Sequence, residues 1–356
     1  MPDLLLAGLD IGGTKTLAVA VSVPPGPSGP ARSAKSGEHS VVAVVASGPA
    51  VVEGSIVAAV RRATRYGRDA VLRSIAETLT ELAEAAGVAV DGFAAVGVGV
   101  PGLVDREAGT VRHAVNLGLG DEPVALADHI ADLARAPVVV DNDVNVAAVG
   151  AASALGCPGD LAYLSVGTGV AAGFVLGGRI RQGAHGAAGE IGHLPVDPGG
   201  PLCECGQRGC LEAVASGTAI AKRWPAAEGA ASAASTLLAA AAAGDGVAAE
   251  VRDEVAGYLA GAVALIAQTV DPQIIVLGGG VAEAGPVLLD AVAAALRARA
   301  ERSPMLAALD LAGRVALVPE GIPAGALGAA LLARARVVAD SVRIAAAGAD
   351  DGVRGR

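Results

Sequence analysis

Two segments of this chain share the same local pattern: a strand, a turn containing glycine and threonine, and a second strand. The first is GLDIGGTKTLAVAVSV near the start, and the second is LSVGTGVAAGFVLGG from Leu164. A repeated unit indicates a duplicated architecture of two similar lobes. Chance resemblance is the alternative, because a chain with 50 Gly has many Gly-rich turns. We expect the duplication.

The rest of the chain alternates apolar runs typical of buried strands with helical segments, which predicts an α/β fold. Its 356 residues are enough for two α/β lobes. We assign 1–146 to a small lobe, onto which a helix over about 324–340 packs back. We expect residues 147–323 to form a large lobe and 341–356 to form a flexible tail. The Pro/Gly/Ser-rich segment from Val23 to Ser40 predicts an extended loop between two strands.

Composition excludes two classes of partner. The net charge is −10, whereas nucleic-acid binding normally needs a basic patch or stripe. The most apolar segment, Val255 to Val270, contains a Tyr and a Gln and ends at Asp271, which suits a buried helix better than a membrane span. The N-terminal segment has no basic region or cleavage site of a signal peptide. We therefore expect a cytoplasmic protein with neither a membrane nor a nucleic-acid partner.

The first glycine turn carries the features of an anion site at the end of a strand. It lacks both the GxGxxG spacing of a dinucleotide fold and the frame of a Walker A loop. Its glycines let backbone amides approach a phosphate, and the strand-terminal Asp10 is placed to hold a hydrated Mg²⁺. A plain Gly-rich hairpin turn is the alternative. The candidate cofactor-binding residues here are Asp10, Gly12, Gly13, Thr14, Lys15 and Thr16.

Two further turns follow predicted strands in the second half. A nucleotide held between two lobes would use one glycine hairpin from each, and a third glycine run after a strong strand would pass close to the nucleoside. Each signal is weak by itself. Together they describe an ATPase of the actin-like and hexokinase-like type with ATP between its lobes. These candidate residues are Gly167, Thr168, Gly169, Gly278, Gly279 and Gly280.

A third strand, VVV at 138–140, ends in the polar run Asp141-Asn142-Asp143 before a helix begins. Strand ends are where reacting groups lie in open α/β sheets. Phosphoryl transfer to an alcohol needs a carboxylate that accepts the hydroxyl proton, and Asp143 is the candidate base. Asn142 offers donors and an acceptor to a sugar hydroxyl. Alternatively, Asp141 or Asp143 caps the helix.

Three of the four cysteines lie in one Gly- and Pro-rich loop, as Cys203, Cys205 and Cys210, with His193 ten residues upstream of the first. Three thiolates and one imidazole form a complete tetrahedral ligand set, which is typical of structural zinc. Unmetallated thiols are the alternative, since disulfides are disfavoured in the cytoplasm. We expect zinc to give this loop its shape.

Polar residues flank the cysteine loop on both sides. Folding the loop on zinc would bring Glu190, His193 and Glu212 towards one place, where carboxylates suit vicinal sugar hydroxyls. The two nitrogens of His193 can serve separate purposes, one binding the metal and the other donating a hydrogen bond to a substrate. The loop therefore predicts a wall of a sugar pocket.

These motifs resemble the ROK family (repressor, open reading frame, kinase), and within it the bacterial glucokinases. They follow the family's order and cover the chain from about Gly8 to Ala335. Besides the segments quoted above, the matching pieces are GVGVPGLVD at Gly97, DNDVN at Asp141, GAHGAAGEIGH at Gly183, CECGQRGCLE at Cys203 and LGGG at Leu277.

The resemblance implies an ATP-dependent sugar 6-kinase with a two-lobed actin-like fold, catalytic Mg²⁺ and structural Zn²⁺. It implies Asp143 as the base, and it adds Gly102 and Asn116 to the sugar-binding residues Asn142, Glu190, His193 and Glu212. Asn116 matches the first residue of an Asn-Leu pair that a Trp often follows in glucokinases of the family. In this chain Gly118 follows the pair. The resemblance also implies a homodimer.

Among hexoses glucose leads, with N-acetylmannosamine, N-acetylglucosamine, fructose, mannose and allose behind it, because their hydroxyl ligands are shared. ROK repressors carry a helix-turn-helix before the phosphate loop, and the short segment before Asp10 has no room for one. A sugar-sensing regulator without a DNA-binding domain is therefore the weaker alternative, and polyphosphate remains an alternative phosphoryl donor.

Overall fold

A computed structural model describes residues 3–24, 40–44, 51–157, 159–226 and 232–351. Its strands are β1 (Leu4–Ile11), β2 (Lys15–Val23), β3 (Ser40–Val44), β4 (Val51–Ala63), β5 (Ala95–Val100), β6 (Leu103–Asp105), β7 (Thr110–Arg112), β8 (Val124–Ala125), β9 (Val138–Asn142), β10 (Leu161–Val166), β11 (Val170–Leu176), β12 (Arg179–Ile180), β13 (Ile274–Gly278) and β14 (Val315–Leu317). Its helices are α1 (Arg68–Ala85), α2 (Leu126–Ala134), α3 (Asp143–Ala154), α4 (Leu211–Ala215), α5 (Gly217–Arg223), α6 (Ala233–Ala242), α7 (Gly246–Thr269), α8 (Pro286–Glu301), α9 (Pro304–Ala308) and α10 (Ala324–Asp351).

The chain forms two compact units. Unit 1 comprises Met1–Pro158, Gly177–Ile180 and Glu320–Arg356, and unit 2 comprises Gly159–Leu176 and Arg181–Pro319. Helix α3 thus lies wholly within unit 1, although we expected a lobe boundary at residue 146. Helix α10 belongs to unit 1 and continues to Asp351, past the expected end near 340, because its last turns are rich in Ala, the best helix former. Of the expected Val23 to Ser40 loop, residues 25–39 lie outside the described part of the chain.

Unit 1 is built on a six-stranded sheet with the order β3-β4-β2-β1-β5-β9. β1 and β2 form an antiparallel hairpin, whereas β5 and β9 run parallel to β1. β5 is buried throughout, as expected of a central parallel strand covered on both faces. The apolar face of α1 packs on this sheet through buried residues that include Val71, Ile75 and Leu79.

Helix α10 packs closely against the sheet and α3 because glycines stand at the contact points. A Cβ at Gly8 would overlap the Ala326 carbonyl oxygen, and a Cβ at Gly97 would overlap that of Ala329. Between the helices, a Cβ at Gly328 would overlap the Val146 carbonyl oxygen. The last helix of the described chain is therefore held against its first strand by backbone-to-backbone approach, which only glycine permits.

Unit 2 repeats the arrangement of unit 1. Its strands β11-β10-β13-β14 match β2-β1-β5-β9 in order and direction, with an antiparallel hairpin followed by two parallel strands. This correspondence confirms the duplicated α/β architecture that the two glycine turns predicted. The apolar segment from Val255 to Val270 falls on α7, whose buried residues belong to the unit 2 core. Within the described residues, no helix combines the length and apolarity that crossing a membrane requires.

Candidate functional site

Three parallel strands of unit 1 bring polar residues to one edge of the sheet. Asp10 on β1 is in register with Gly99 on β5, and Gly99 is in register with Asp141 on β9. Gly99 leaves room for α3 beside β5, since a Cβ there would overlap the Val146 side chain. The predicted phosphate-turn acid and the predicted base therefore lie on the same sheet edge.

The carboxyl group of Asp10 is in an unusual electrostatic environment. Burial and, secondarily, the negative charge of Asp143 raise the pKa of Asp10 to about 7, although Lys15 opposes this. Gly325, in the first turn of α10, faces the Asp10 carboxylate, which a Cβ at that position would overlap. A bound cation would stabilise the ionised form of this buried carboxylate, and carboxylate oxygens are the ligands that Mg²⁺ prefers.

The turn after Asp10 is a tight hairpin whose tip is exposed. The Gly12 amide donates to the Lys15 carbonyl oxygen at 2.9 Å, and Gly13 and Thr14 are exposed. Gly13 also lies close to Asn116, because a Cβ on Gly13 would stand 2.9 Å from the Asn116 Cβ. Thr16 differs from the rest, since its buried hydroxyl is 2.9 Å from that of Thr64. The Thr16 side chain thus joins β2 to the residue after β4.

The three polar residues from Asp141 to Asp143 make different hydrogen bonds at the junction of β9 and α3. Asn142 is the N-cap of α3, and its side-chain oxygen accepts from the Val144 amide at 3.0 Å. Asp143 Oδ1 is also 3.0 Å from that amide. Asp141 is buried and accepts from the Asn142 amide at 2.7 Å and from the Asn145 side chain at 3.0 Å. The expected capping role therefore belongs chiefly to Asn142.

Sequence reasoning missed the partner of Asp141. Arg106, in the turn between β6 and β7, places its Nε 3.1 Å from Asp141 Oδ2. The same hairpin begins after Gly102, whose φ of 101° favours glycine and whose Cβ would lie 2.7 Å from the Arg112 carbonyl oxygen. The Asn142 side-chain amide donates to the Gly102 carbonyl oxygen at 3.4 Å. No sequence motif announces Arg106, which lies far from Asp141 along the chain.

The two glycine turns of unit 2 pack against one another. The Val281 amide donates to the Val166 carbonyl oxygen at 2.8 Å, and Gly279 adopts a φ of 83° over the same strand end. The start of α5 is also attached here, since Gly217 donates to the Gly167 carbonyl oxygen at 2.7 Å. Thr218 donates to that of Thr168 at 2.8 Å. The structure thus brings Gly167–Gly169 and Gly278–Gly280 together, as expected, and adds two residues that the sequence did not mark.

Glu212 joins the cysteine loop to the first of these turns. It lies at the second position of α4, directly after Cys210 and Leu211, and its Oε2 accepts from the Val170 amide at 3.0 Å. The absence of a side chain at Gly169 makes room for this carboxylate, which a Cβ there would overlap. The predicted sugar ligand is therefore bonded to the backbone beside a predicted phosphate turn.

The four predicted zinc ligands converge. The ligand atoms of His193, Cys203, Cys205 and Cys210 all lie within 4.8 Å of one another. The Cys205 and Cys210 sulfurs are 3.6 Å apart, and His193 Nδ1 is 3.7 Å from the Cys203 sulfur. Tetrahedral zinc with Zn–S bonds of about 2.3 Å would separate its sulfurs by about 3.8 Å.

The thiol chemistry also suits a metal. Hydrogen bonds from the backbone and side chain of Gln207 lower the pKa of Cys205 to about 6, which favours the thiolate. Burial raises the pKa of Cys210. These residues therefore fit zinc, which binds thiolates and neutral imidazole.

The other ring nitrogen of His193 lies near a predicted sugar ligand. His193 Nε2 lies 4.0 Å from Glu190 Oε2, and both side chains are partly exposed. The division of the imidazole between metal and substrate stays a prediction. Of the predicted sugar-binding residues, Glu190, His193 and Glu212 belong to unit 2, while Gly102, Asn116 and Asn142 belong to unit 1.

Comparison with known proteins agrees with this geometry. The model of the ROK family matches residues 49–336. The chain belongs to the ROK family. A glucokinase of Thermotoga maritima is 34% identical over 308 residues, covering 81% of this chain and 86% of that protein. A glucokinase of Halalkalibacterium halodurans is 40% identical over 213 residues, covering 54% of this chain and 63% of that protein, just under two thirds of its length.

Solved structures show the same fold. The crystal structure of a ROK glucokinase from Streptomyces griseus in complex with glucose and AMPPNP has a TM-score of 0.66 and 28% sequence identity. It covers 93% of this ROK protein and 99% of that chain. An N-acetylmannosamine kinase of Escherichia coli is also related, at 37% identity over 216 residues, covering 60% of this chain and 70% of that protein.

Proposed function

We propose that this ROK protein transfers the γ-phosphoryl group of ATP to the 6-hydroxyl of a hexose, most readily glucose. The observation that carries the proposal is the sheet edge of unit 1, where Asp143 lies close enough to raise the pKa of Asp10 and Asn142 stands beside it. Glucokinases among the relatives support the choice of sugar.

The chemistry follows from the geometry. Phosphoryl transfer depends on positioning and charge neutralisation more than on covalent chemistry. Asp143 accepts the proton of the attacking hydroxyl. Magnesium held near Asp10 would neutralise phosphate charge. The exposed tip at Gly13 and Thr14 offers backbone amides to phosphate oxygens, and the turn at Gly167–Gly169 is a second candidate of the same kind.

Sugar hydroxyls are recognised by polar groups already oriented by the fold. The Asn142 amide donates one N–H to the Gly102 carbonyl oxygen and has a second N–H for a hydroxyl next to the reacting one. Gly102 and Asn116 are the other sugar-binding candidates of unit 1. The carboxylates of Glu190 and Glu212 and the imidazole of His193 are the candidates of unit 2 for sugar hydroxyls. Zinc bound by His193 and the three cysteines would fix this wall. We further propose a cytoplasmic homodimer that feeds hexose 6-phosphate into glycolysis.

One experiment tests the activity. ADP release is measured with Mg²⁺ and ATP, with and without a panel of glucose, N-acetylmannosamine, N-acetylglucosamine, fructose, mannose and allose. We expect release to depend on sugar and to be fastest with glucose. Highest kcat/KM with N-acetylmannosamine would assign the protein to the other kinase class among its relatives. Release indifferent to every sugar would overturn the proposal in favour of a plain ATPase, and polyphosphate in place of ATP tests the donor.

Asp143→Asn tests the base. Loss of the proton acceptor should lower kcat by at least about 100-fold while the protein still folds and binds sugar. The matched control is Asp132→Asn, which removes an exposed carboxylate from α2 of the same unit. Near-normal turnover of Asp143→Asn would remove Asp143 from the mechanism.

A further inference from the structure

Arg106 is attached to the candidate active site without being one of its predicted residues. Its Nε is 3.1 Å from Asp141 Oδ2, and the Asp141 side chain is 1% exposed whereas that of Arg106 is 35% exposed. A buried carboxylate is costly unless it is paired and hydrogen-bonded. The arginine therefore reaches in from the hairpin surface to compensate a charge at the end of β9.

Asp141 passes this restraint to the residues that follow it. Its Oδ1 accepts from the Asn142 amide at 2.7 Å and from the Asn145 side chain at 3.0 Å. The first bond fixes the backbone where β9 ends, and the second fixes the first turn of α3. Asp143 lies between these two points. The orientation of the proposed base thus depends on where the Asp141 carboxylate is held.

Arg106 also holds the hairpin that carries Gly102. The turn around Arg106 is ordered by Asp105, whose Oδ1 accepts from the amides of Glu107 and Ala108 at 3.0 Å each. At the other end of β6, the Gly102 carbonyl oxygen accepts from the Asn142 side chain at 3.4 Å. The hairpin is therefore fastened to the end of β9 at two places, and the charged one is Arg106.

We propose that Arg106 is a positioning residue for the sugar-binding half of the site: through Asp141 it orients Asn142 and Asp143 and keeps Gly102 in place. The inference rests on the proposed kinase function. It predicts that Arg106 affects sugar binding and the rate of phosphoryl transfer and does not affect nucleotide affinity.

Steady-state kinetics of Arg106→Ala, Arg106→Lys and wild type provide the test. Because a misplacement of about 1 Å can cost about 100-fold in rate, Arg106→Ala should lose about 10- to 100-fold in kcat/KM for the sugar. The KM for ATP should stay within about twofold of wild type. Arg106→Lys should recover part of the loss, since it restores the charge without the planar guanidinium.

The matched control is Arg65→Ala. Arg65 Nη1 pairs with Glu77 at 3.0 Å on the surface of the same unit, with both side chains partly exposed. This variant removes an arginine and an ion pair without touching Asp141, and its kinetics should equal those of wild type. Thermal unfolding of each variant shows whether the chain has folded, and Arg106→Lys carries the test if Arg106→Ala does not fold.

A double-mutant cycle separates action through Asp141 from a general structural effect. Asp141→Asn keeps an oxygen for the Asn142 amide but removes the charge that Arg106 compensates. If Arg106 acts through Asp141, the loss in Arg106→Ala/Asp141→Asn should be smaller than the product of the two single losses.

The proposal is overturned if Arg106→Ala has wild-type sugar kinetics, if the KM for ATP rises as much as that for sugar, or if the losses multiply. Failure of the kinase function itself would show differently, as ADP release by the wild-type protein that does not depend on sugar. That result would overturn both.

Discussion

At the scale of single residues, Asp10 is a carboxyl group whose environment favours the protonated form. Its pKa is raised from 3.8 to about 7 by burial first and by Asp143 second. In the unfolded chain the group ionises near 4, so between pH 4 and 7 the folded protein binds more protons than the unfolded one. The free energy of unfolding must therefore fall as pH rises through this window, unless a cation neutralises the site.

This predicts that Asp10→Asn stabilises the metal-free protein above pH 7 and not at pH 4. Three pKa units correspond to about 4 kcal/mol, which is an upper limit because Asp10 is not completely buried. The measurement is urea unfolding of both proteins at pH 4.5 and 8 in EDTA, with Asp132→Asn as the exposed control. An equal difference at the two pH values would contradict it. The same variant should lose kinase activity. A carboxylate that lowers stability but is needed to hold a cation is an example of a trade-off between stability and activity.

At the scale of elements, the cysteine loop is a segment with few apolar side chains, and several of these, including Leu194, Val196 and Leu202, are exposed. Its cross-links within the described residues are hydrogen bonds such as that from the Cys203 amide to the Gln207 carbonyl oxygen at 2.7 Å. A metal bound by the cysteines and His193 would make such a loop rigid. The same metal would restrain His193 and Glu212, which lie at the two ends of the loop.

Loss of zinc should therefore weaken stability and sugar binding together. Cys205→Ser should lower the zinc content per chain, lower the melting temperature by several degrees and raise the sugar KM by about tenfold. Cys157→Ala, which removes a buried thiol outside the cluster, is the control and should keep its zinc. Chelation that removes the metal, as measured by atomic absorption, but leaves the sugar KM unchanged would exclude the loop from the sugar site.

The contact between Glu212 and the Gly167–Gly169 turn links two elements of unit 2. Gly169→Ala would place a Cβ on Glu212 Oε2 and so displace the carboxylate from the Val170 amide. We expect the sugar KM to rise by about tenfold or more, and the KM for ATP to rise as well because the turn is disturbed. Gly246→Ala, at a position with open space in the same unit, is the control. Unchanged sugar and ATP constants in Gly169→Ala would contradict the link.

The sequence predicted these elements better than the contacts between them. The hairpin at Asp10 and the cysteine cluster could be predicted from the sequence, because glycine turns and ligand spacing are local signals. The Arg106–Asp141 pair was not, since its partners are distant in the chain and only the parallel alignment of β5 and β9 brings the hairpin to Asp141. The hydrogen bond between the hydroxyls of Thr16 and Thr64 was not predicted either, because Thr64 lies far from the phosphate-turn motif in the chain.

At the scale of the whole molecule, unit 1 is completed by a helix that follows unit 2 in the chain. Helix α10 packs on β1, β5 and α3, and its contacts depend on glycines in both partners. Unit 1 therefore cannot finish folding until residues after 323 are available, which couples the two ends of the chain. Its stability should be sensitive to a single methyl group where the helices cross.

Gly328→Ala tests this sensitivity. Helix propensity alone favours Ala over Gly by about 1 kcal/mol, so a change for the worse isolates the packing effect. The new Cβ would overlap the Val146 carbonyl oxygen and lie 2.7 Å from the Gly150 amide nitrogen, both of them backbone atoms that cannot rotate away. We expect a loss of about 2 kcal/mol or more, seen as faster amide exchange in β1 and α10 and a lower melting temperature.

The matched control is Gly257→Ala in α7, where a Cβ would meet nothing within 4 Å. That variant makes the same chemical change in another helix and should leave stability equal or raise it by up to about 1 kcal/mol. Opposite signs for the two variants would follow only if close approach at Gly328 holds α10 in place. If Gly328→Ala and Gly257→Ala had the same melting temperature, α10 would have to shift to accommodate the new side chain, and its contact with β1 would have to tolerate that movement.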